Sequence, residues 1–230
     1  MKFLLSTFLL LLASLGPGTA PAAEAKETTK PAADTAPDIS QKAYDAAMAL
    51  HDAGKDAGAE QAFRTLVEAR TQALGAEARE TLLARAALIR MEIYRGRDTT
   101  AASRMQALLP LLQRVLGAED RETLICQRRL VYATWDQGRY AETEKACRSQ
   151  LLTDTRVLGP EDAETLGTRM LLALALFNQM KREKLEEAER ELHQFLAIHE
   201  RLHGAEGKET LSVRYNLAAL LLKQDNYEAA

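Results

Sequence analysis

Leu74-Gly75-Ala76-Glu77-Ala78-Arg79-Glu80-Thr81-Leu82 (LGAEARETL) returns as LGAEDRETL at 116–124, as LGPEDAETL at 158–166 and as HGAEGKETL at 203–211. The glycines of these phrases stand at 75, 117, 159 and 204, giving spacings of 42, 42 and 45 residues. The three extra residues of the last interval fall within Gln179 to Leu185 (QMKREKL), where the preceding unit has only Gln137 to Tyr140 (QGRY). A phrase that recurs at a fixed period of this size marks a repeat architecture.

Between the phrases the apolar residues follow a helical period. Each unit divides at a turn, such as Arg95-Gly96-Arg97 or Gln137-Gly138-Arg139, into two helix-length segments. Each unit is therefore expected to be a helical hairpin. The glycine of the phrase closes the second helix, and the acids that follow (Glu77; Glu119 and Asp120; Glu161 and Asp162) stand where the positive end of the next helix dipole favours them. Pro160 suits the same place. Stacking the units yields three core columns: Leu88, Leu130, Leu172 and Leu217; Ile89, Val131, Ala173 and Ala218; and Phe63, Met105, Cys147 and Leu192. One hairpin cannot cover its own apolar face, so the units must stack into an all-α solenoid with a period of about 42 residues.

The expected units are 38–78, 79–120, 121–162, 163–207 and an incomplete 208–230. The first is degenerate, with Ala46 in the Leu column and Ala53-Gly54-Lys55 as its turn, and reads as a capping repeat. Pro110 removes a backbone donor inside a second helix and is expected to kink or interrupt it. In the last unit, Lys208 to Gln224 makes a first helix and Tyr227 to Ala230 only the start of its partner. That leaves an apolar flank of Leu217, Leu220, Leu221 and Leu222 open.

Composition narrows the class. The 230 residues include two Cys, 12 Gly and six Pro, against a disulfide scaffold or a collagen-like chain. Mean hydropathy of -0.26 argues against a polytopic membrane protein. Thirty basic and 33 acidic residues leave a net charge of -3, so nothing global draws the chain onto nucleic acid or anionic lipid. Residues 1–25 read as a signal peptide: Met1 and Lys2 precede an uncharged run from Phe3 to Leu15, and small residues suit cleavage after Ala25. The expected destination is the periplasm. The run is shorter than the about 20 residues of a spanning helix, and its retention as an N-terminal anchor is the alternative. Residues 26–37 (KETTKPAADTAP) lack large apolar side chains and read as a disordered linker.

The LGxExxETL phrase, the Asn216-Leu217-Ala218 segment and Gln137-Gly138-Arg139-Tyr140 together resemble a tetratricopeptide repeat of the kinesin-light-chain type, over about Asp38 to Ala230. The resemblance is to bacterial chains of this kind. It implies a right-handed superhelix whose first helices line a concave groove for a peptide or protein partner, with no chemistry and no cofactor. An alternative within the same resemblance is a membrane-associated adaptor that links a filament of bacterial tubulin to the membrane. Peptide-binding members often carry Asn just before the Leu column; that column here is Ala87, Arg129, Leu171 and Asn216, so only Asn216 matches.

Two residues earlier stand Arg85, Gln127, Arg169 and Arg214, with Arg128 and Arg129 beside them. A stripe of guanidinium groups would suit an acidic peptide or protein surface. The other reading of these residues is local pairing with Glu92 or with the acidic helix starts. No GxSxG, P-loop, GxGxxG, HExxH or CxxC occurs, so no catalytic residue is assigned. His199 and His203, with His193 six residues back from the first, lack a third ligand, and no metal site is assigned. Cys126 and Cys147 lie on opposite helices of one hairpin and could be a disulfide or two buried thiols. Tyr132 and Trp135 are either groove anchors or core.

Overall fold

The computed structural model describes residues 37–95 and 100–228, so the expected signal peptide, all but the last residue of the expected linker and the expected Gly96-Arg97 turn lie outside the described residues. Nine helices are found among them: α1 (Gln41–Asp52), α2 (Asp56–Leu74), α3 (Arg79–Arg95), α4 (Ala101–Val115), α5 (Arg121–Asp136), α6 (Tyr140–Val157), α7 (Ala163–Asn178), α8 (Arg182–His203) and α9 (Lys208–Glu228). Each packs on the next in sequence, and α3, α5 and α7 also touch directly. This is a solenoid of hairpins in which α1, α3, α5, α7 and α9 are first helices and the rest are second helices.

The phrase does what its residues dictate. Gly75, Gly117, Gly159 and Gly204 all sit at positive φ, from 75° to 113°, at the ends of the second helices. A side chain there would be strained, which is why the phrase holds Gly. Asp120 and Asp162 then cap α5 and α7, each accepting the backbone N–H two residues on at 2.9 Å. The threonine of the phrase (Thr81, Thr123, Thr165, Thr210) is fully buried in every unit, a fourth core column.

The columns show which way each face looks. Ala84, Ala87, Leu88 and Met91 of α3 join the cluster of Phe63 and Leu66, looking back to the first unit. Leu82, Ala86, Ile89 and Ile93 of the same helix join the second cluster, looking forward. There is a departure at the N-terminal end: Ala46, in the backward column, is exposed, with no described helix packed on that side, whereas Ala47 is buried. At the other end, Leu217 and Leu220 are buried because they look back on α8. Leu221 and Leu222 are exposed as expected, and Leu211, Tyr215 and Ala218 are exposed as well.

Two further expectations are corrected. Pro110 does not interrupt α4, which runs unbroken from Ala101 to Val115. Its ring lies on the exposed side, where the carbonyl it deprives of a donor can face solvent. Nor does a second helix start at Tyr227, because α9 continues to Glu228. Asp225 stands there where Gly138 (φ 77°) makes the turn between α5 and α6. In the fourth unit that turn position is held by Met180 at φ 53°, the non-glycine at positive φ among the described residues. The three inserted residues become an extra turn at the start of α8, 22 residues long against 18 for α6. That turn supplies Lys184, which with Gln179 and Arg148 donates to Glu144 on α6. Burial alone would raise the Glu144 pKa; these donors outweigh it and hold the carboxyl down at about 2.

Charges join successive units in register. Arg114 pairs with Glu77, Arg156 with Glu119 and Arg201 with Glu161, each tying the end of one second helix to the preceding phrase. Arg79 and Arg121 likewise reach Asp120 and Asp162. Most are well exposed and each contributes little by itself, so their value is in fixing the stacking register.

One column of the second helices is unusual. It reads Arg70, Leu112, Asp154 and His199, and all four are buried. Arg70 donates to the carbonyls of Ile39, Glu80 and Ser40 at 3.0, 2.8 and 2.9 Å. Asp154 accepts from Thr168 Oγ1 at 2.7 Å, and burial raises its pKa. His199 lies edge-on to Phe195 and stacks on His203, and neither of its ring nitrogens has a hydrogen-bond partner. Burial, then the neighbouring His203, lowers its pKa below 6.5, opposed by Glu209. The unfolded chain therefore binds the proton more readily. Stability that is complete above about pH 6.5 is lost as the pH falls below it. Chemical unfolding at pH 7 and pH 5 should show that loss in the parent chain and a smaller one in His199→Leu, since Leu112 already fills the equivalent place two repeats earlier.

Candidate binding surfaces

The residues assigned from sequence do not form one open stripe. Arg169 on α7 donates to Glu191 and Gln194 of α8 at 3.2 and 3.1 Å, and Arg214 on α9 reaches Glu200 of α8 at 2.7 Å. This column points toward the second helices. Arg128 faces the next first helix and holds Glu164 through Nε at 3.0 Å and through Nη2. Its guanidinium lies across Gly167 of α7, where a Cβ would stand 3.0 Å from Nη1, so glycine leaves room for the pair. Arg90 and Glu122 make a similar bridge between α3 and α5 at 2.5 Å. Asn216 is buried, with Nδ2 3.6 Å from Met170 Sδ. Gln127 and Arg129 are half-buried on α5. Local pairing thus accounts for Arg128, Arg169 and Arg214.

Arg85 is placed differently. It lines a pocket of about 280 Å3 with Val67 of α2, Leu88 and Ile89 of α3, and Arg104, Ala107, Leu108 and Leu111 of α4. Its guanidinium makes a long hydrogen bond to the Ala76 carbonyl, 3.3 Å. The equivalent of the Arg169–Glu191 pair here is Arg85 with Arg104, two cations where unit four has a cation and an anion. Arg104 is held by Glu92 at 2.6 Å, and Arg64 by Glu60 at 2.7 Å, with Glu92 4.0 Å from Arg64. Arg85 thus stands beside an apolar hollow, a combination that suits an apolar side chain carrying or flanked by a carboxylate. Sequence reasoning singled out Arg85 but missed Arg104, which the column comparison with Glu191 could have revealed.

The other candidates are core. Trp135 and Tyr132 are buried, their ring centroids 5.7 Å apart. Cys126 and Cys147 are free thiols, and burial pushes their pKa values up to about 11 and about 12. Neither is a nucleophile near neutral pH. No group of three or more His, Cys, Asp or Glu side chains able to hold a metal occurs among the described residues, and no described helix is long and apolar enough to cross a membrane.

No protein-family model and no curated protein matches the chain. Solved structures do. A kinesin-light-chain-like protein of Podosopora anserina with nearly identical TPR-like repeats, and a single-substitution variant of it, superpose with TM-scores of 0.60 and 0.61. Each is 18% identical, and the match covers 82% of this chain and 88% of that one. At that identity the likeness concerns the fold: this chain is a TPR-like helical repeat array, built as the kinesin-light-chain-like arrays are.

Proposed function

We propose that the chain is a non-catalytic scaffold that binds a protein or peptide partner, and that the partner engages it through an acidic segment bearing an apolar side chain at the Arg85–Arg104 pocket. The observation that carries this reading is Arg85 lining an apolar hollow together with Arg104, at a position where unit four sets Glu191 against Arg169. An array of preformed helices supports it, because a rigid surface loses little entropy when a peptide docks. Residues 1–25 would direct the protein out of the cytoplasm, and the scaffold would act in the periplasm.

The test is affinity capture with the protein as bait against lysate and envelope fractions at low and high salt, with Arg85→Glu alongside. Any partner found is then titrated as a synthetic acidic peptide. Arg85→Glu should weaken binding by about tenfold or more, and high salt should do the same, because a desolvated charge contact is removed or screened. Arg169→Glu and Arg214→Glu, whose partners lie on α8, should bind within about twofold of the parent. Equal binding by Arg85→Glu would retire the pocket as the site.

A further inference from the structure

The arginines of the column Arg85, Gln127, Arg169 and Arg214 find their carboxylates in two places. Arg169 reaches forward to the second helix of its own unit, where Nη1 lies 3.2 Å from Glu191 Oε2 and 3.1 Å from Gln194 Oε1. Arg214 reaches back to the second helix of the unit before it, 2.7 Å from Glu200. Counted by the repeat, the forward place in unit two is Arg104 and the backward place is Thr71, and neither is an acid. Thr71 donates its hydroxyl to the Val67 carbonyl at 2.6 Å, and Arg104 turns to Glu92 at 2.6 Å. In place of Gln194, the neutral acceptor of unit four, unit two has Ala107, which is exposed and lines the hollow. Arg85 turns instead to the Ala76 carbonyl, at a long 3.3 Å.

Unit four thus holds, within its own chain, the groups that unit two lacks. The guanidinium of Arg169 takes two unlike acceptors, one charged carboxylate oxygen and one neutral amide oxygen. In a peptide the same two acceptors are an Asp or Glu side chain and a main-chain carbonyl. We propose that the hollow beside Arg85 takes an internal acidic residue of an extended peptide. Its side-chain carboxylate occupies the place of Glu191, a main-chain carbonyl the place of Gln194, and a neighbouring apolar side chain the hollow of about 280 Å3. Ala107 decides access, because a longer side chain there fills the site from within, as Gln194 does in unit four. Arg104, standing where unit four has an acid, favours a carboxylate over an amide. This ligand rests on the scaffold reading above and goes further in naming its two acceptors and the residue that leaves room for them.

Titration of the full chain, followed by NMR at the arginine Nε–H signals, tests it with three probes. These are N-acetyl-leucyl-glutamic acid α-amide, with one side-chain carboxylate, its glutaminyl counterpart, with none, and N-acetyl-leucine, whose carboxylate is at the chain end. The glutamyl probe should move the Arg85 signal and bind about tenfold or more tighter than either of the others. Ala107→Glu, which supplies the carboxylate from within, should move that signal with no probe present and weaken the glutamyl probe by about tenfold or more. Ala107→Ser, small enough to leave the hollow open, should bind within about twofold of the parent, and helical circular dichroism should be retained in both variants. N-acetyl-leucine binding as tightly as the glutamyl probe would overturn the proposed ligand and leave an Arg85-dependent pocket standing. Parent-like binding by Ala107→Glu would do the same. If no probe moves the Arg85 signal, pocket and ligand are overturned together.

Discussion

Arg70→Met should lower the stability of the first unit by about 3 kcal/mol, from three carbonyls left without a donor at about 1 kcal/mol or more each. The side chain is 1% exposed and is a hub: it reaches Ile39 and Ser40 at the start of α1 and Glu80 at the start of α3, and it lies 5.7 Å from the centre of the Tyr44 ring. Met keeps much of the volume and removes the donors, so the loss reports the hydrogen bonds rather than a cavity. Because each hairpin contacts only its neighbours, the damage should stay local. Amide protection should collapse in α1 and α2 and persist in α5 to α8. Loss spread evenly over the chain would show that the first unit is not a separable cap.

Leu172→Ala should cost about 3 kcal/mol, within the range for a large-to-small change at a closed site. Its effect should fall on the coupling to the preceding hairpin. Leu172 is 2% exposed on α7, a helix buried from Thr165 to Leu176 except at Arg169. It stands in the backward-looking column with Leu88, and α7 touches α5 and α6 on that side, so a cavity there weakens that interface. Urea unfolding should lose cooperativity as the flanking units uncouple, and the C-terminal pair α8 and α9 should exchange first. A cost below about 1 kcal/mol would mean that the site collapses to fill the space.

Much of this was readable in the sequence because the same physical demand recurs. Four glycines at positive φ and two aspartate caps in one phrase are backbone requirements, and backbone requirements leave a residue-type signature. The core columns were legible for the same reason. The direction each column faces was less so, since Leu88 and Ile89 are adjacent in sequence and only the stacked neighbours show that one looks back and the other forward. That is why the open flank of α9, read as Leu217, Leu220, Leu221 and Leu222, is right for Leu221 and Leu222 and wrong for Leu217 and Leu220, which look back. The Arg stripe failed as a stripe because a helix wheel shows a shared face but not the carboxylates opposite it; Glu191 and Glu200 lie on α8, more than ten residues from their partners in sequence in each case. Nothing in residue type distinguishes buried Arg70 from exposed Arg64 on the same helix, and only the three carbonyls around Arg70 do so.

The central claim is that rigid binding surfaces are held in place by couplings between neighbouring hairpins and not by a single shared core. Native-state hydrogen exchange of the unmodified chain, read helix by helix, tests it most directly. Protection should be highest in α5 to α8 and decline stepwise toward α1 and toward α9, with each hairpin opening at its own free energy. One common opening energy for all nine helices would contradict that account and make the chain an ordinary globular domain.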